Sequence, residues 1–284
     1  MGPMVKAEFR KTFTTNLWWA LLIPAALIGF GSGWMGSTFA GIINSFEPLD
    51  RPVPLALLSV AASTNFSTIF GALFGALSVA GEYRHKTITT SFLTANPRGA
   101  VLVAKLVVAA AVGAGYGVVT VLSAGLGALI GVSQGFGGFG DLGDCLGVAG
   151  ACVLSMVLWT LLGVGFGALV ANAVLAVILP LVYKFVVEFI LSMALAGSDG
   201  SAVSPYLPGA AGNGIVSNLA VPLFIAGVAG PDEPDVPRAA FEILHLFFGG
   251  DYGHAWWASL LTFLAYTAVF VAGGWWASQR RDVA

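Results

Sequence analysis

Long apolar runs separated by short polar breaks dominate the chain. Runs at about 17–41, 57–80, 101–132, 145–171, 173–196 and 255–277 can each cross a ~30 Å hydrocarbon core as an α-helix. The pattern predicts an all-α polytopic membrane protein, a single transmembrane domain over residues 1–284 with six spans. The stretch 145–196 is about twice the length of one span and must fold back on itself. Ala171-Asn172-Ala173 is the hinge that suits a tight turn, and Pro180 predicts a kink in the second arm.

The polar breaks have patterns of their own. Over residues 4–16, Val5, Phe9 and Phe13 form one stripe and Lys6 and Arg10 another, which predicts a helix lying in the membrane interface. The densest polar interruption follows the second span and carries Glu82, Arg84, His85, Lys86, Arg98 and Lys105. Within it Ile88 and Phe92 stand four apart on one helical face, and Pro97 then ends the segment before Gly99 lets the chain turn. Residues 197–254 are rich in proline and acids and predict a large extracytoplasmic segment. Inside it Ile215 to Val228 is apolar, too short to cross and interrupted by Pro222, so a re-entrant or interfacial helix is expected. Arg238 to Phe248 reads as a second amphipathic piece.

Composition agrees with the pattern. Hydrophobic residues make up 57% of the chain, charged residues 9%, and the mean hydropathy is +0.89, which excludes an ordinary soluble domain. Charge placement sets the expected orientation. With the N-terminus inside, Lys6, Arg10, Lys11, Arg84, Lys86, Arg98, Lys105, Arg280 and Arg281 are cytoplasmic, and Arg51 and Arg238 lie outside. Both termini and the central loop are therefore expected in the cytoplasm. The apolar run after Lys11 is too long for a cleaved signal, so it is expected to stay as the first span. Cys145 and Cys152 are about 10 Å apart by helical rise, beyond disulfide reach, and read as small buried apolar residues.

The run Glu82, Thr87, Leu93-Thr94, Pro97-Arg98 and Lys105 resembles the loop between the second and third helices of the membrane (permease) subunits of ATP-binding-cassette (ABC) exporters of the type-2 permease class. The entry run Ala7-Glu8-Phe9-Arg10-Lys11, followed by Thr14 to Trp19, is similar to that family's interfacial helix, and Lys86 departs from it where relatives commonly have glycine. The resemblance implies a cytoplasmic coupling helix within residues 82–100. It gives docking roles on an ATPase to Glu82, Arg84, Thr87, Ile88, Phe92, Leu93, Pro97 and Arg98, and a bracing role to Glu8 and Lys11. It also implies two ABC ATPase subunits as partners, a second copy or relative of the permease, and a multi-pass place in a bacterial-type cell membrane. The chain itself would then bind no cofactor, ATP and Mg would sit on the partner, and no nucleic acid would be involved.

Other patterns are weaker. Gly81 to Thr87 has the outline of a phosphate-binding loop but lacks the second glycine and follows a span rather than a strand. His245 and His254, near Glu242 and Asp251, lack metal-ligand spacing, and the sequence presents no catalytic constellation. Lys184 stands roughly 17 Å into the fifth span, with Glu188 one turn on. Ionisable residues at that depth suggest a path-lining role, a proton relay, or an internal pair that relieves its own desolvation. If they handle an ion, the alternative reading is a secondary transporter or channel driven by an ion gradient. Five small-xxx-small pairs, Gly29/Gly33, Gly71/Gly75, Gly113/Gly117, Gly127/Gly131 and Gly163/Gly167, predict close helix packing.

Overall fold

The computed structural model describes residues 2–46, 54–84, 99–133, 138–195, 199–229 and 254–280. Every regular element among them is helical. They run α1 (Gly2–Thr14), α2 (Leu17–Phe46), α3 (Leu55–Arg84), α4 (Gly99–Ser133), α5 (Leu142–Val170), α6, a 3₁₀ segment (Asp199–Tyr206), α7 (Pro208–Ala229) and α8 (Trp256–Arg280). Helix α6 has three parts: an α-helical arm Ala173–Val182, one π-helical turn Tyr183–Val187, and a second arm Glu188–Leu195. The central loop residues Thr87, Ile88, Phe92, Leu93, Pro97 and Arg98, and the piece Arg238 to Phe248, lie outside the described residues.

Glycine sets which helices pair. On α2 and α4 the glycines interlock: a Cβ on Gly33 would stand 2.0 Å from the Ala124 carbonyl oxygen, and one on Gly127 2.2 Å from that of Phe30. Helices α3 and α5 repeat the device, with Gly75 against Thr160 and Gly163 against Ala72, each at 2.1 Å. All five predicted pairs are thus used within the chain, where a Cβ would run into the backbone or side chains of the neighbouring helix. A core built around Leu57, Trp159, Ile215 and Phe263 joins α3 and α5 to α7 and α8, and in it the Trp159 and Phe263 rings meet at 4.8 Å.

The expected fold-back is a capped turn. Ala171 closes α5 with φ 50°, the left-handed conformation that helix ends use, and its N–H reaches the Gly167 carbonyl. Asn172 then opens α6, its side-chain oxygen accepting from the N–H groups of Val174 (2.9 Å) and Leu175 (3.2 Å).

Among the described residues seven helices are long and apolar enough to cross a membrane, where the sequence pattern predicted six. The addition is α7, which starts earlier than the apolar run because Pro208 fits the first helical position and the following Gly209, Gly212, Asn213 and Gly214 carry little apolar signal. Its contacts show where it begins. Gly212 meets Trp159, midway along α5, Gly214 meets Ser259 near the start of α8, and Gly227 meets Pro54 just before α3. Helix α7 therefore starts halfway down the bundle and runs to the end where α3, α5 and α8 begin.

Candidate functional site

Two polar clusters interrupt the apolar bundle. The first sits where α3 ends and α4 begins, the two ends that flank the central loop. Phe9 and Val5 of α1 pack against a cluster containing Phe74, Val108, Val112 and Tyr116, while Phe13 stacks on Phe9 and meets Trp18 edge-on at 5.3 Å. The stripe predicted from sequence is therefore the face that seats α1 on α2, α3 and α4. The Tyr116 hydroxyl donates to the Trp18 carbonyl and ties the start of α2 to the same place.

That seating brings four charges together. Lys105 of α4 is buried and donates to Glu8 of α1 at 2.8 Å and to Glu82 of α3, which also receives Lys11 of α1. Both ammonium groups reach the same Glu82 oxygen, and the second oxygen has no partner among the described residues. Two carboxylates and two ammonium groups balance in charge, which is what burial of such groups requires. The resemblance had given Glu8 and Lys11 a bracing part and Glu82 a separate docking part. Lys105 is the residue that joins them; the sequence placed it in the run that resembles the central loop but gave it no role. Arg84 is exposed and outside this network.

The second cluster lies at mid-depth. Lys184 is buried and donates to the Thr68 hydroxyl of α3 at 2.9 Å and to the Asn213 side-chain oxygen of α7 at 3.4 Å, and it lies 4.3 Å from the centre of the Trp159 ring of α5. Among the described residues no carboxylate is within ion-pair distance of Lys184. Glu188 turns instead to the first turn of α7, where its two oxygens accept from the N–H groups of Gly209 (2.9 Å) and Ala210. The π-turn, which carries Lys184 and ends at Glu188, changes the i, i+4 relation that an α-helix would give, and each charge takes its own partners. The Trp159 indole N–H is buried against Gly212 without an acceptor among the described residues.

The cysteines do simpler work. The Thr64 hydroxyl donates to buried Cys152 at 2.9 Å, and the Cys145 thiol donates to the Phe139 carbonyl. Of the residues weighed as a metal site, Glu242, His245 and Asp251 lie outside the described residues. The fold defines a polytopic helical membrane protein in which the described residues form a charged network at a bundle end and a polar cluster at mid-depth. Neither the protein-family models nor the curated proteins include a match to this chain.

Proposed function

We propose that the chain is the membrane subunit of an ATP-driven exporter of the ABC type-2 permease class, acting as a pair of permeases with two separate ATPase subunits. The observation that carries this reading is the Glu8–Lys105–Glu82–Lys11 network. It ties α1, α3 and α4 together at the two helix ends from which the central loop 85–98 leaves. A force applied to that loop would be delivered to α3 and α4 as stiff levers, with α1 as the brace. Glu82 and Arg84 sit on the last turn of α3, at the base of the lever.

In this reading the chain has six spans, with α7 as a re-entrant helix from the extracytoplasmic side. The contacts of its first turn halfway along α5 support that choice over a seventh crossing. Both termini and the central loop are cytoplasmic, in keeping with the placement of lysine and arginine. The chain hydrolyses no ATP itself; ATP and Mg act on the partner. A gradient-driven transporter using Lys184 and Glu188 is the weaker alternative, because both charges are engaged in holding helices together.

The test is the loop. Ile88 and Phe92 would fill a groove on the ATPase, where burying each contributes about 1.5–3 kcal/mol. The double variant Ile88→Asp/Phe92→Asp should weaken ATPase pull-down by well over tenfold, on the order of 1.4 kcal/mol per tenfold, while thermal stability of the isolated permease is kept. Pull-down at wild-type strength would remove the loop from the coupling role.

A further inference from the structure

Helix α6 has three buried side chains: Ala176 in its first arm, Lys184 in the π-turn and Glu188 at the start of its second arm. An apolar membrane helix thus buries fully only one alanine and two ionisable residues against its own bundle, with the Phe185 ring stacked on Phe66 of α3 beside them. Much of the rest of its surface, including Val174, Ile178, Phe189 and Met193, is exposed. Both buried charges reach α7, but only Lys184 also reaches α3 and α5. Glu188 holds α7, and Lys184 bridges α3 and α7 across the face of Trp159.

We infer that α6 is a hinged arm with two independent pins. The π-turn Tyr183–Val187 is the hinge, Glu188 clamps α7 to the outer arm so that the two move as one body, and Lys184 is the latch that holds this body against α3 and α5. The hinge rests on backbone chemistry. Pro180 removes one ladder hydrogen bond, and within the turn the Glu188 N–H reaches back five residues to the Tyr183 carbonyl, a break that leaves the two arms free to change direction.

Glu188 makes a durable clamp because the first N–H groups of a helix have no acceptor within it, and in an apolar setting no water replaces the carboxylate. The site is shaped for that carboxylate: a Cβ on Gly209 would stand 2.2 Å from its oxygen, so glycine alone permits the approach. Lys184 makes a releasable latch because its partners are a hydroxyl, an amide oxygen at 3.4 Å and an aromatic face, all neutral. An ammonium can exchange such partners for water or for a polar group passing along a path. This device does not depend on which energy source moves the arm.

The test places a reporter cysteine at Ala211, a fully buried position in the first turn of α7, in a Cys145→Ser/Cys152→Ser background, and follows maleimide labelling of the solubilised protein. Glu188→Ala should speed labelling at least tenfold, Glu188→Gln, which keeps one acceptor oxygen, by a smaller factor, and Lys184→Met by less than threefold. Combining Lys184→Met with either Glu188 variant should give the product of the single effects, as independent pins require. Where Glu188→Ala does not give a monodisperse protein, Glu188→Gln carries the cycle. The inference is overturned if Ala211→Cys stays protected in the Glu188 variants, or if the double variant labels no faster than the faster single one, which would make the two charges one paired unit.

Discussion

Lys105 and Lys11 both reach Glu82, yet their surroundings give them different weights. Lys105 is buried between two carboxylates, so Lys105→Ala leaves Glu82 and Glu8 without their shared cation and should cost about 3–5 kcal/mol. The side chain of Lys11 is 41% exposed, so water screens it, and Lys11→Ala should cost no more than about 1 kcal/mol. Denaturation midpoints of the two variants in detergent check the difference; equal effects would mean that the network is not organised around Lys105. A second residue-scale prediction concerns the α5–α6 turn. Asn172→Ala removes both cap hydrogen bonds and should cost about 1 kcal/mol, whereas Asn172→Asp keeps an acceptor and should stay within a few tenths. Asn172 was legible in the sequence because a polar residue inside an apolar stretch of double length has few other uses. The gathering of Glu8, Lys11, Glu82 and Lys105 was not, since these residues are far apart along the chain and meet only after α1 has docked.

Helix boundaries followed from the apolar runs because each run is long and ends at a polar break. Pairing did not follow from them. Glycine spacing announced close approach but not the partner, which depends on the crossing geometry of whole helices. The glycines of α5 give a test in one helix. A Cβ at Gly163 would meet the Ala72 carbonyl oxygen at 2.1 Å, while at Gly150 nothing lies within 4 Å. Gly163→Ala should therefore destabilise by about 1–3 kcal/mol through forced separation from α3. Gly150→Ala should be neutral, or stabilising by up to about 1 kcal/mol from helix propensity. Thermal unfolding of the two variants reads this directly, and similar midpoints would contradict the packing of α3 on α5. Helix α7 escaped the apolar pattern for a related reason. Its first two turns, Pro208 to Gly214, mix proline, glycine, alanine and asparagine, and their stability as a helix comes from Glu188 and from Trp159 packing on Gly212 rather than from hydrophobicity.

At the scale of the whole molecule, six spans with a re-entrant α7 and seven full crossings place residues 230–253 on opposite sides. Cysteine at Ser91 should be labelled only from the cytoplasm, and cysteine at Ser201 or Asp235 only from outside. Labelling of Asp235→Cys from the cytoplasm with Ser201→Cys still external would establish the seventh crossing. The central claim is that this chain moves because a separate ATPase moves it. The most direct measurement is purification of the tagged protein from its native membrane, followed by an ATP-hydrolysis assay on the complex and on the chain alone. The account predicts an ATPase subunit in equal number with the permease, Mg-dependent hydrolysis by the complex, and none by the isolated chain. A chain that purifies without an ATPase and moves solute in vesicles under an ion gradient alone would contradict it.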